Sequence, residues 1–160
     1  MQTFKAILIP MDFSAASERA LQYGRDIAEV FDASLHVLHV LEHPIGPAAF
    51  MNLYGTLPAG YFESRERQAR TRLEALLTDE HKAKCSAVLV TRMGHVAEEI
   101  LDYLKEQPID LVVMATTARS GVSRLIVGSV ADTIVREAPC PVLTVHPDHR
   151  AQAGAGDRAA

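Results

Sequence analysis

Short apolar runs alternate along this chain with longer stretches whose apolar residues recur every three or four positions. The short runs are Phe4–Pro10 (FKAILIP), Ser34–Leu41 (SLHVLHVL), Ser86–Met93 (SAVLVTRM), Leu111–Met114, and the segment from Pro141 to His146 (PVLTVH), and they predict five strands. Ala15–Phe31 carries Ala20, Leu21, Tyr23, Gly24, Ile27, Ala28 and Phe31 at helical spacing. Tyr61–Lys84 is charged on one side and carries Ala69, Leu73, Leu76 and Leu77 on the other, and His95–Gln107 turns Val96, Ile100, Leu101 and Leu104 inward. Each of these three stretches predicts one helix, and a fourth opens at Gly128-Ser129. Strands apolar enough to be buried on both faces, alternating with amphipathic helices, specify an α/β protein with an open, doubly wound parallel sheet and right-handed crossovers.

Local signals punctuate this order. Ser14 is placed to cap the first helix, Glu18 adds an acid near its start, Asp32-Ala33 turns the chain, and Pro108 stops the third helix. Pro44, Gly46, Pro47, Gly55, Pro58 and Gly60 break the segment 42–60 into a long loop, in which Phe50, Met51, Leu53 and Tyr54 form a short helical turn or a flap. One domain is expected over 1–147. The small, polar stretch 148–160 reads as a disordered tail.

Composition narrows the function. The 160 residues are 48% hydrophobic and 22% charged, as in ordinary globular proteins. Sixteen basic against twenty acidic residues give a net charge of −4, so no nucleic-acid partner is expected. No apolar segment approaches the roughly 18 residues of a membrane span, and the N-terminus lacks a signal-peptide layout, so no membrane partner and a cytoplasmic location are expected. Cys85 and Cys140 read as packed thiols, one of them at the start of the last strand. His36 and His39 stand three apart in a strand and project to opposite faces, a poor metal pair; His43, His81, His95, His146 and His149 show no ligand spacing. There is no G-x-S-x-G elbow, H-E-x-x-H helix or G-x-x-x-x-G-K-[ST] loop, and the expectation is a protein that is not an enzyme.

Ligands of such sheets bind beyond the carboxyl ends of the strands, where the winding reverses. Asp12 follows the first strand and Ala115–Ser120 the fourth, so the two loops share one crevice if those strands are neighbours. Gly128-Ser129 places free amides at a helix start, which suits an anion. The plainer alternatives are that Asp12 only caps the first helix, that Gly128-Ser129 is simply a helix start, and that Arg119 and Arg124 are solvated charges.

The segments ILIPMDFS, LHVLHV, Gly94–Ile100 and, above all, MATTARSGVSRLIVGSVADTIVREAPCPVLTV give the chain a resemblance to the universal stress protein family over residues 3–147. That resemblance implies a Rossmann-like five-stranded sheet ordered 3-2-1-4-5 and a homodimer through the last strand, Pro141 to His146. It also implies a regulatory stress-response role with an unidentified protein partner, and, in some members, binding of ATP or another adenine nucleotide with Mg2+. Nucleotide-binding members carry Gly, two residues, Gly, nine residues, then Gly and Ser or Thr. This chain keeps the spacing and the final Gly128-Ser129, but Ala115 and Ala118 stand at the first two glycines. By the same resemblance Pro10, Met11, Asp12, Val40 and Met114 line the nucleoside pocket, and Arg119 follows the second motif position. Thr117 stands where many members carry His. Ser129, Val130 and Ala131 begin the phosphate-receiving helix. If the motif positions need a positive φ, the alanines add strain; if they need only closeness, a methyl is tolerated. Two other functions stay open: a dimeric adaptor without nucleotide, and a slow ATPase or nucleotidyl-transfer enzyme.

Overall fold

The computed structural model describes residues 3–42, 57, 59–116 and 128–146. Five strands form one parallel sheet: β1 (Ala6–Pro10), β2 (Ser34–Leu41), β3 (Val88–Met93), β4 (Leu111–Ala115) and β5 (Val142–Val145), in the order β3-β2-β1-β4-β5. This is the order that the family resemblance implies. The side chains alternate as strand geometry requires. Ile7, Ile9, Leu35, Val37, Leu111 and Val113 point to one face, while Ala6, Leu8, Leu38, Val40, Val112 and Met114 point to the other.

Helices cover both faces. On the first lie α1 (Ala15–Phe31) and α2 (Tyr61–Leu76), which bury Ala20, Leu21, Ala28 and Leu73. On the second lie α4 (Val96–Glu106) and α5 (Ser129–Glu137), which bury Ile100, Tyr103, Leu104, Ala131 and Ile134. At Gly24, α1 sits so close to β1 that a Cβ would come within 2.2 Å of Ile9 Cδ1, so only glycine fits without moving a core side chain. The ends of α1 follow its sequence signals. Ser14 Oγ accepts the Ser17 N–H at 3.2 Å, and Asp32 closes the helix in the left-handed conformation with its N–H on the Ala28 carbonyl.

The single helix expected over Tyr61–Lys84 is two. Leu77 is extended and buried, and a short helix, α3 (Asp79–Lys84), starts afresh behind Thr78, whose Oγ1 accepts the His81 N–H at 3.2 Å. Turning Leu77 into the core breaks the helix, and the Thr78-Asp79-Glu80 sequence caps the next one. Helix α3 then leads through Cys85 into β3.

The centre of the sheet is stapled below its first paired residues. Asp110 Oδ2 accepts the N–H groups of Lys5 at 2.7 Å and Ala6 at 3.0 Å, and the Asp110 N–H donates to the Ala6 carbonyl at 2.9 Å. Register follows as Ile7 against Leu111 and Leu8 against Val112. Replacing this carboxylate leaves the partly buried Ala6 N–H without its acceptor, while the exposed Lys5 N–H turns to water. Asp110→Ala is expected to lower unfolding free energy by about 1–3 kcal/mol in urea titration, and Asp110→Asn, which keeps one acceptor, by less.

Candidate functional site

Winding reverses between β1 and β4: β1 is joined through α1 to β2 on one side, and β4 through α5 to β5 on the other. The chain therefore diverges at the carboxyl ends of these two strands and leaves a cleft of about 340 Å³. Pro10, Met11, Met114 and Ala115 form its floor; Leu38, Val40 and Glu42, from β2 and its end, form one side; Val96 and Ile100 of α4 form another. Asp12 and Ser17 come from the start of α1, and Gly128, Ser129, Val130 and Ala131 from the start of α5. Ten of the thirteen residues singled out from the sequence thus meet in one cavity. Thr117, Ala118 and Arg119, with Arg124, the expected flap of Phe50, Met51, Leu53 and Tyr54, and the expected tail 148–160, lie outside the described residues.

The β1–α1 turn positions the acid. Asp12 Oδ1 accepts the Ser14 N–H at 2.9 Å, closing an Asx turn. Partial burial raises the Asp12 pKa, but hydrogen bonds from Ser14 and Ser17 outweigh it and hold the carboxyl below its ordinary range, so it is ionised at neutral pH. Both sequence readings of Asp12 therefore apply to the same group: it organises the helix start, and it lines the cleft. Ser17 is buried, and its Oγ, beside Asp12, also lies 3.0 Å from the Ser14 carbonyl and 3.1 Å from Met11 Sδ. Phe13 pays for the tightness of the turn with φ 62, a left-handed conformation worth roughly 1–2 kcal/mol of strain for a residue with a Cβ. Its ring is held between the His39 imidazole, 4.5 Å away between centroids, and the Arg72 guanidinium, whose Cζ lies 3.9 Å above the ring.

The opposite wall offers donors. Gly128 precedes α5 in an extended conformation without a side-chain cap, and the Asp132 N–H takes the Gly128 carbonyl at 2.9 Å. The N–H groups of Ser129, Val130 and Ala131 have no intrahelical carbonyl to reach, and with the helix dipole they suit a phosphate group. Ala115 meets the first motif position without strain. It belongs to β4 and is absent from the left-handed residues, and its methyl packs against the core on the α1 side. Leu38, Val40, Met114 and Ile100 make the middle of the cleft apolar, as a purine ring requires.

Ser17, Leu38, Glu42, Val96 and Ile100 line the cleft without having been singled out from the sequence. The two-residue alternation of β2 offered a signal for Leu38, since Val40 lies on the same face. His36 and His39 do project to opposite faces: His36 Nδ1 meets the Tyr103 hydroxyl at 2.6 Å, and His39 Nδ1 meets the Met11 carbonyl at 2.7 Å. Among the described residues no cluster of three metal-ligating side chains occurs. Both cysteines are free thiols whose pKa burial pushes up, and Cys85 is buried. Among the described residues no helix is long and apolar enough to cross a membrane.

Fold and cleft together define a doubly wound α/β protein with a ligand-sized crevice at its switch point. A family model described as the universal stress protein family matches residues 3–146, and the chain belongs to that family. Universal stress protein MJ0531 of Methanocaldococcus jannaschii is 29% identical over 144 residues, covering 89% of this chain and 82% of that protein. The solved structure of UspA from Lactobacillus plantarum is 28% identical with a TM-score of 0.65, covering 91% of this chain and 99% of that one. The fold recurs at 19% identity and a TM-score of 0.61 in a universal stress protein in complex with cAMP, covering 91% of this chain and 98% of that one. It recurs at 16% identity and a TM-score of 0.58 in an Arabidopsis thaliana family member with AMP bound, covering 91% and 94%.

Burial lowers the pKa of both His36 and His39 from the ordinary 6.5; for His39 the hydrogen bond to Met11 opposes the shift and Arg72 reinforces it. The folded protein therefore holds these imidazoles neutral, while the unfolded chain takes up protons below pH 6.5. Their contribution to stability is complete above that value and is lost as pH falls through it. Both imidazoles should titrate below 6.5 by NMR, and the urea midpoint should fall on acidification, with a shallower slope in His36→Gln.

Proposed function

We propose that this universal stress protein is a regulatory module that holds an adenine nucleotide, ATP with Mg2+ or a monophosphate, in the cleft between β1 and β4, and that it acts by binding rather than by turnover. The observation that carries this reading is the convergence of three features in one cavity of about 340 Å³: an apolar slot, the Asp12 carboxylate, and the uncapped amides of α5. A purine fits the slot, ribose hydroxyls donate to a carboxylate, and a phosphate accepts from helix-terminal amides. The relatives solved with cAMP and AMP support the same ligand class. Ala115 is compatible with it: it stands in β4 without a positive φ, and its half-buried side chain packs against the core on the α1 side.

Calorimetric titration of ligand-free protein with ATP, AMP and cAMP tests the reading; absence of binding at millimolar concentration would discard it in favour of an adaptor that works without nucleotide. Asp12→Ala should weaken binding about tenfold or more, the loss expected for a hydrogen bond to a charged group. Ser129→Pro removes one amide at the first helical position, where the extended Gly128 accommodates proline. It should weaken AMP while leaving adenosine unchanged.

We also propose that the module works as a homodimer in the cytoplasm, joined through β5. This is an edge strand, and Leu143 on it is 40% exposed. Sedimentation should give twice the chain mass at micromolar concentration, and Leu143→Glu should shift it towards the monomer.

A further inference from the structure

Met11 is the last residue before the chain turns into the cleft, and β2 holds both of its backbone groups. Its N–H donates to the Leu38 carbonyl at 2.8 Å, continuing the ladder one step past Pro10. Its carbonyl meets His39 Nδ1 at 2.7 Å. A carbonyl can only accept, so Nδ1 carries the hydrogen, and the neutral ring is the Nδ1–H tautomer. The imidazole thus supplies, from a side chain, the next rung between β1 and β2. It does so from the α1–α2 face of the sheet, outside the cavity lining. The same ring packs against Phe13, which Arg72 covers from α2. Asp12 stands between these two anchored residues, with its own Oδ1 on the Ser14 N–H.

We propose that His39 is the positioning residue of the cleft: its Nδ1–H fixes the Met11 carbonyl and, with the Phe13 stack, sets the direction in which the Asp12 carboxylate enters the cavity. The affinity part of this inference rests on the nucleotide reading; the positioning part does not. His39→Asn and His39→Leu separate the donor from the ring's bulk, because an asparagine amide nitrogen reaches the place of Nδ1 and leucine supplies no donor. Three measurements are made on each full-length variant: the Asp12 carboxyl titration by carbon-13 NMR, AMP affinity by calorimetry, and unfolding in urea.

The expected result is that His39→Leu moves the Asp12 titration up towards its ordinary value and weakens AMP about tenfold, and that His39→Asn returns both to within about threefold of the parent protein. An Asp12 titration unchanged in His39→Leu overturns the proposal. So does equal loss in the two variants that tracks their urea stability, since that is the signature of packing alone. If the parent protein binds no AMP, the nucleotide reading falls, while the Asp12 titration in His39→Leu still decides the positioning role.

Discussion

The pairing of β1 with β4 is the constraint on which the molecule depends. These strands are distant in sequence, and each leads into a helix on a different face of the sheet. Their junction is therefore the one place where the covering layers part at the carboxyl ends. Asp110 secures the opposite end of the same pair by accepting two N–H groups from the start of β1. A carboxylate at the closed end fixes register, and register in turn brings Pro10 and Met11 level with Met114 and Ala115 at the open end, with Asp12 one step beyond. The cleft is a product of topology first and of side chains second.

Much of this was legible along the chain. The fold class follows from period-two and period-3.6 patterns, and the bounds of α1 and β2 agree with their caps and turns because those signals are local. The break at Leu77-Thr78 is masked by a charged face that runs on without interruption; the Thr78-Asp79-Glu80 cap is its local signal, and the extended, buried Leu77 marks it in the fold. Tyr103 is a different case: three residues after Ile100 and seven after Val96, it stands on the inward face by helical spacing, but its hydroxyl's partner, His36, lies 67 positions away and only the fold brings it near.

The site divides along the same line. Asp12 and Gly128-Ser129 stand at element ends, where a single sequence reveals a special role. Ser17, Glu42 and His39 reach the cleft or its support through sheet register and helix rotation, which no short motif encodes. The alanine at position 115 could be judged only in three dimensions. Sequence posed the choice between backbone strain and close approach, and an extended strand with its methyl turned inward removes the first. Asp12 shows why rival readings of one residue need not compete. One oxygen ties down the helix start, and the carboxylate so held is the charge that the cavity presents.

The turn that carries Asp12 is continuous with α1, a helix of 17 residues, roughly 25 Å from end to end. It has no break along that length, and Gly24 lets it ride directly on β1. Such a helix is a continuous rod seated on the sheet. One end of it carries the turn that holds the Asp12 carboxylate, and its outer side shows Tyr23 and Val30 to solvent. The same element that sets the acid of the cleft is therefore also part of the exposed surface of the molecule.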